Sequence, residues 1–136
     1  MSTPTTPDLA ALVRERGSSA YVVTVSEQGA PHAVYAPVRW EGGALVVEAG
    51  ASTTTNAAAR PRVSLLYPVR ADGDYSLILD GTAAVEERGG VRLVRVTPAR
   101  AVLHRPGPAP DPASSCGADC VPLSLPVPLA RAQISD

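Results

Sequence analysis

The sequence contains no lysine and no phenylalanine, so all twelve basic residues are arginine and the aromatic volume rests on four tyrosines and one tryptophan. Its two cysteines, Cys116 and Cys120, are too few for a disulfide-dense secreted scaffold. The formal net charge is −1, which excludes a global electrostatic pull toward nucleic acid or an anionic membrane. No apolar run reaches the roughly 18–20 residues that a membrane-spanning helix needs. The first residues, MSTPTTPDLAALVRERG, lack a basic stretch followed by an apolar one, so they do not read as a signal peptide. A cytoplasmic protein is the expectation. At 136 residues the chain suits one domain with one core.

What is present is a change of period along the chain. Residues 1–17 read as a lead-in and a short helix, with Asp8 as cap, Leu9, Leu12 and Val13 on one face, and Gly17 as the stop. From Ala20 to Val25 the chain is β-branched and aromatic, and Ser26-Glu27-Gln28-Gly29 is a turn cluster. Pro31 opens a second strand that runs to Trp40, and Glu41-Gly42-Gly43 turns into a third over Ala44 to Ala49. Thr53 to Arg60 is the one internal stretch that reads as a helix, ended by Pro61 because the residue before proline avoids the α region. A fourth strand over Arg62 to Tyr67, a fifth over Tyr75 to Glu87 and a sixth over Val91 to about Leu103 follow. Gly81 marks a bulge or bend in the fifth, and Pro98 interrupts the sixth.

Seven of the fourteen prolines lie between Pro106 and Pro128. Residues 106–136 therefore read as an extended tail that packs on the barrel or on a partner subunit, through the alternating Val121, Leu123, Leu125, Val127 and Leu129. Six short strands and one internal helix over residues 18–105 predict a mainly β fold, a closed or partly closed antiparallel barrel.

Three stretches carry a family resemblance. Ala20 to Ala33 (AYVVTVSEQGAPHA) resembles the opening hairpin of pyridoxamine 5'-phosphate oxidase-like proteins, with its T-V-S-x-x-G-x-P-H pattern. Ser52 to Leu65 (STTTNAAARPRVSL) is similar to that family's helix and following strand, and Tyr75 to Ala83 (YSLILDGTA) to the strand that ends in V-x-G-T-A. The resemblance implies a six-stranded split β-barrel of Greek-key type, the FMN-binding split barrel, with an N-terminal helix and one short internal helix. It also implies a homodimer with two equivalent sites at the subunit interface, holding FMN, the deazaflavin F420 or, in one branch, haem. Carried over by position, the cofactor site falls on Val38, Arg39, Ala49, Gly50, Ser52, Thr53, Thr54, Thr55 and Asn56. The family's phosphate-binding lysine falls at Thr53, and Arg39, Arg60 or Arg62 would have to meet the phosphate instead.

The same segment points to an anion on its own chemistry. A Gly-Ala-Ser-Thr-Thr-Thr run that opens a helix combines hydroxyls with free backbone N–H groups at the positive end of the helix dipole. Serine and threonine are equally ordinary helix caps. His32 after the turn and His104 at the end of the sixth strand read as surface or capping residues, with His104 the better candidate for a haem ligand. Cys116-Gly117-Ala118-Asp119-Cys120 reads as a tail turn, with a redox or metal role as the sharper alternative. Tyr35, Trp40, Tyr67 and Tyr75 serve core volume first and cofactor stacking second.

No nucleophile triad, phosphate-binding Walker loop, dinucleotide fingerprint or pair of catalytic carboxylates stands out. That suits an oxidoreductase in which FMN or F420 performs the hydride transfer to a small organic acceptor. The alternative is a non-catalytic split-barrel protein that binds haem or another small molecule. Neither reading calls for nucleic acid or a membrane as partner.

Overall fold

A computed structural model describes residues 8–106 and 118–125. Helix α1 (Leu9–Glu15) starts at Asp8, whose carboxylate accepts from the Ala10 N–H, and it buries Leu9 and Val13. Strands β1 (Ser19–Val25), β2 (Pro31–Glu41) and β3 (Ala44–Glu48) form an antiparallel meander. Its turns use Gly29, Gly42 and Gly43 at positive φ. Helix α2 (Ala51–Ala59) crosses to β4 (Arg62–Tyr67), followed by the long hairpin of β5 (Ser76–Arg88) and β6 (Val91–Pro106), and by β7 (Ala118–Leu123).

Spatial order is β3-β2-β1-β4-β5-β6-β7, and a further pairing of β3 with β6 closes the first six strands into a barrel. The fold is therefore the closed antiparallel barrel expected from six alternating strands, and the split barrel that the family resemblance implies, with one strand more. Alternation explains the interior. Ala20, Val22 and Thr24 of β1 point in, as do Val63, Leu65 and Tyr67 of β4 and Leu77 and Leu79 of β5. Each fully buried leucine or valine of this set contributes roughly 1.5–3 kcal/mol of apolar transfer free energy.

Two local readings change. Helix α2 begins at Ala51 rather than Thr53, because Gly50, extended at φ −77°, takes the capping position. Strand β6 runs on through Pro98, which pairs with Gly81 where the register shifts between Asp80 and Gly81. The bulge expected at Gly81 thus absorbs the proline as well, since a bulged site needs no N–H from it. Within the proline-rich segment, Ala118–Leu123 pairs with β6 as an edge strand and buries Leu123. Cys116, Val127 and Leu129 lie outside the described residues, as do residues 1–7.

One tyrosine stands out in the core. Tyr67 is fully buried, its hydroxyl has no hydrogen-bond partner among the described residues, and burial, helped by nearby Tyr35, pushes its pKa up to about 12. Leaving a hydroxyl unsatisfied costs about 1–3 kcal/mol, so Tyr67→Phe is expected to match or exceed the parent by about 1 kcal/mol in chemical denaturation. A clear loss of stability would mean that the hydroxyl has a partner.

At the β2–β3 turn, Glu41 gathers arginines from three strands: Arg39 at 3.2 Å, Arg88 at 2.7 Å and Arg95 at 3.7 Å. Hydrogen bonds from Arg88 first and Arg39 second hold the Glu41 carboxyl down to about 2, from an ordinary 4.5. A carboxyl whose folded pKa lies below its unfolded value adds stability above the unfolded value and loses it as pH falls through the folded one. Glu41→Gln is therefore expected to cost stability at pH 7 and to cost progressively less from about pH 4.5 down to about pH 2. Because these side chains are exposed, added salt should shrink the difference at pH 7. Denaturation of both proteins across pH and salt tests this, and a gap independent of both would refute the ion-pair account.

Candidate functional site

A cleft of about 330 Å³ opens where β2 parts from β3. Strand β2 pairs with β3 only over Val38 to Glu41, whereas, among the described residues, Pro31 to Pro37 pair with β1 alone. The bonds Val38 N–H to Ser18 carbonyl and Ser26 N–H to Ala30 carbonyl set the alternation between β1 and β2. Even-numbered residues of β2 face β1 with their backbone groups, and odd-numbered ones turn theirs to the open edge. Two of those odd positions, Pro31 and Pro37, have no N–H to offer, a substitution that discourages another strand from pairing there. Ala33 and Tyr35 keep theirs.

The opposite wall is the end of β3 and the first turn of α2: Glu48, Ala49, Gly50, Ala51, Ser52 and Thr53. No side chain caps this helix. The Gly50 carbonyl accepts from both the Thr54 N–H and the Thr54 hydroxyl, which holds the cap in place. The N–H groups of Ala51, Ser52 and Thr53 precede the first intrahelical bond, so the cleft faces orphan donors at the positive helix end.

His32 lines the cleft from β2, and its Nδ1 is buried without a hydrogen-bond partner among the described residues. Thr24 lies directly across from it on β1, and the Thr24 hydroxyl accepts from the Asn56 amide at 3.1 Å, anchoring α2 to the barrel. A second anchor runs from Arg60 Nε to the Val25 carbonyl at 2.6 Å.

Of the nine residues carried over by position, Ala49, Gly50, Ser52 and Thr53 line the cleft. The others lie elsewhere, each for a local reason. Val38 faces the core, Thr54 is spent on Gly50, Thr55 is exposed on the outer side of α2, and Asn56 is buried against Thr24. Arg39 points outward to Glu41 and, at 4.0 Å, to Glu48. Arg62 is exposed. Among the described residues no arginine lines the cleft, so none of them puts a guanidinium beside Thr53, the position at which the resemblance implies a lysine and which is itself 2% exposed.

Sequence reasoning passed over Val34, Ala36, Pro37 and Glu48 as lining residues, read His32 as a surface or capping residue, and gave Tyr35 cofactor stacking only as a second role. The pair of prolines on one parity of β2 was the available signal of an open edge. The other aromatic residues are engaged elsewhere: Trp40 packs on the core, and Arg105 stacks over the Tyr75 ring at 4.4 Å. His104 pairs with Ser76 and Cys120 across β5 and β7, away from the cleft. Among the described residues, no group of three histidine, cysteine or acidic side chains could hold a metal ion, and no helix is long and apolar enough to cross a membrane.

The outer face next to the cleft is apolar. Tyr35, Tyr21, Leu66 and Ile78 stand in one cross-strand row over β2, β1, β4 and β5. The rings of Tyr21 and Tyr35 meet at 4.8 Å, yet those residues remain 41% and 60% exposed. Tyr35 is both the end of this row and a wall of the cleft.

No family model matches the sequence. Two uncharacterised proteins, from Mycobacterium bovis and Mycobacterium tuberculosis, are each 36% identical over 122 residues, spanning 79% of this chain and 86% of theirs. Among solved structures, a candidate pyridoxamine 5'-phosphate oxidase from Listeria innocua superposes with a TM-score of 0.61 at 17% identity, over 71% of this chain and 98% of that one. A haem-binding protein from Mycobacterium smegmatis gives 0.61 at 15% identity, over 90% of this chain and 60% of that one. An F420 reductase gives 0.57 at 16% identity, over 70% and 97%.

Proposed function

Because the chain belongs to the same family as the two mycobacterial proteins and has the pyridoxamine 5'-phosphate oxidase-like split-barrel fold, we propose that it is a homodimeric oxidoreductase that binds FMN or F420 in the cleft between β2 and α2. The observation that carries this is the uncapped first turn of α2, which faces His32 and the open edge of β2 across a single cleft. Such a set of donors suits a phosphate-bearing cofactor. The volume supports a shared site: about 330 Å³ is near the bottom of the range for small-molecule pockets, as expected of one protomer's share.

A second copy of the chain is the natural cover for the row of Tyr35, Tyr21, Leu66 and Ile78. Since Tyr35 belongs to both row and cleft, a partner docked on the row also walls the site. When bound, the flavin or deazaflavin supplies hydride transfer to a small organic acceptor. The chain's own part is to hold the anionic end at Ala51, Ser52 and Thr53, to position the ring against the β2 edge, and to exclude water with Tyr35 and the partner.

A second reading has its own support. Among the described residues the cleft carries a histidine and no arginine, and the Mycobacterium smegmatis neighbour binds haem, so a non-catalytic haem- or small-molecule-binding protein fits the same walls. The absorption spectrum of the purified protein, alone and titrated with FMN, F420 and haem, separates the two. Flavin or deazaflavin bands that shift on binding are expected. Uptake of haem alone would replace the first reading with the second, and uptake of none would remove both.

A further inference from the structure

We infer that Tyr35 is the residue that stacks on the flat ring of the cofactor, with Tyr21 bracing it. The inference rests on the cleft being the flavin or deazaflavin site. It goes beyond that reading in naming the side chain that holds the ring and in fixing which wall of the cleft receives it.

Three observations support it. Of the five aromatic residues in the chain, Tyr35 alone lines the cleft. Tyr67 is fully buried, Trp40 packs on the core and the Tyr75 ring lies under Arg105, whereas Tyr35 is the most exposed large apolar side chain among the described residues. Second, the ring is held in place. Tyr21 meets it at 4.8 Å with the two planes inclined by 52°, a favourable tilted contact that takes up one side of Tyr35. Third, the wall across the cleft includes Ala49, Gly50 and Ala51, and a Cβ added to Gly50 would meet nothing within 4 Å. Those three residues put no side chain larger than a methyl into the space, which keeps room for a flat ring.

The two walls differ in chemistry, and the difference orients a ligand. Val34, Tyr35, Ala36 and Pro37 give the β2 wall the apolar surface that a fused ring seeks. The α2 wall offers backbone N–H groups at the positive helix end, which suit a polar or anionic tail and not a ring. A fused heteroaromatic ring therefore lies against Tyr35, with its tail running toward Ser52 and Thr53. Pairing with β3 begins only at Val38, so among the described residues no strand covers the β2 edge at Tyr35. A phenol is electron-rich and an oxidised isoalloxazine electron-poor, which favours stacking of the two. The second copy of the chain covers the outer row that Tyr35 ends, and the ring approaches Tyr35 from the cleft.

The test titrates the full chain, Tyr35→Leu and Tyr35→Phe with FMN and with F420, at a concentration where light scattering shows each to be dimeric. Leucine keeps apolar bulk and removes the π face, so Tyr35→Leu is expected to bind the cofactor about tenfold more weakly. Phenylalanine keeps the ring, and Tyr35→Phe should bind within about twofold of the parent. Bound FMN adds a readout that packing alone would not move. An excited flavin takes an electron from a stacked phenol and returns it, which quenches emission, and a phenyl ring is too hard to oxidise to do the same. FMN emission is therefore expected to be quenched in the parent and restored in Tyr35→Phe. Unchanged affinity in Tyr35→Leu, or the same FMN emission in parent and Tyr35→Phe, would overturn the inference and leave the cofactor site in place. If F420 alone is taken up, its affinity for the two variants decides. Uptake of neither by the parent would remove the cofactor reading and this inference together.

Discussion

Gly81→Ala is expected to destabilise the fold by roughly 3 kcal/mol, at the upper end of what overpacking costs. A Cβ added at Gly81 would lie 2.4 Å from the Thr97 carbonyl oxygen and 2.8 Å from Val96 Cγ1. The first contact is backbone of the neighbouring strand, and the second belongs to a fully buried valine paired with Leu45 of β3. Neither can step aside without opening the bulge where Asp80 pairs with Arg100 and Gly81 with Pro98. Gly50→Ala is the control, because nothing lies within 4 Å of a Cβ there and its φ is ordinary. Losing glycine as a helix cap should cost only about 1 kcal/mol or less. Denaturant midpoints of the two variants against the parent decide the matter. A Gly81→Ala protein within about 0.5 kcal/mol of the parent would show that β6 yields easily at the bulge.

Leu66→Arg is expected to leave the barrel folded and to weaken self-association at least 100-fold. Leu66 is only half-buried on the outer face, between Tyr21 and Ile78, so a guanidinium there stays hydrated in a lone protomer. In the proposed dimer it would enter an apolar contact twice, once from each copy, with no anion opposite. An uncompensated buried charge costs about 3–5 kcal/mol, which corresponds to roughly two to four decades in the dissociation constant. Light scattering reads the mass, and a thermal melt confirms that the fold persists. Cofactor affinity should fall with the dimer, because Tyr35 then faces solvent where the partner's wall would be. A variant that remains dimeric would move the interface off this row. A monomer that binds its cofactor unchanged would confine the site to one protomer.

Much of the barrel was legible along the chain because its determinants are local. Alternation over Ala20 to Val25 and Arg62 to Tyr67 assigns an inner and an outer face before any partner strand is known. Asp8 caps α1 and Gly29 closes the first hairpin at positive φ, each for a reason contained in a few residues. Gly81 announced its bulge because glycine inside a strand has few other uses. The strand at Ala118–Leu123 was harder to read. Proline density suggests an extended tail, yet extended chain with Val121 and Leu123 alternating is also what an edge strand requires, and Pro122 is tolerated there because one side of an edge strand is unpaired.

The cofactor segment shows where local reasoning stops. The run from Gly50 to Thr55 marks a helix start with free donors, and that much follows from backbone chemistry. Which of its side chains enter the cleft depends on how α2 rolls against β1. The Asn56–Thr24 and Arg60–Val25 contacts, between residues more than thirty positions apart, set that roll. They turn Asn56 inward and Thr55 outward, while Ser52 and the buried Thr53 line the cleft. The lysine-free composition turned the search for an anion's partner to Arg39, Arg60 or Arg62. That the lining residues hold one histidine and no arginine depends on where β2 leaves β3, since pairing stops at Val38 and exposes the edge on which His32 stands. A sequence specifies its strands through periods of two residues. Which strand edge remains open is settled only when all six strands close into the barrel.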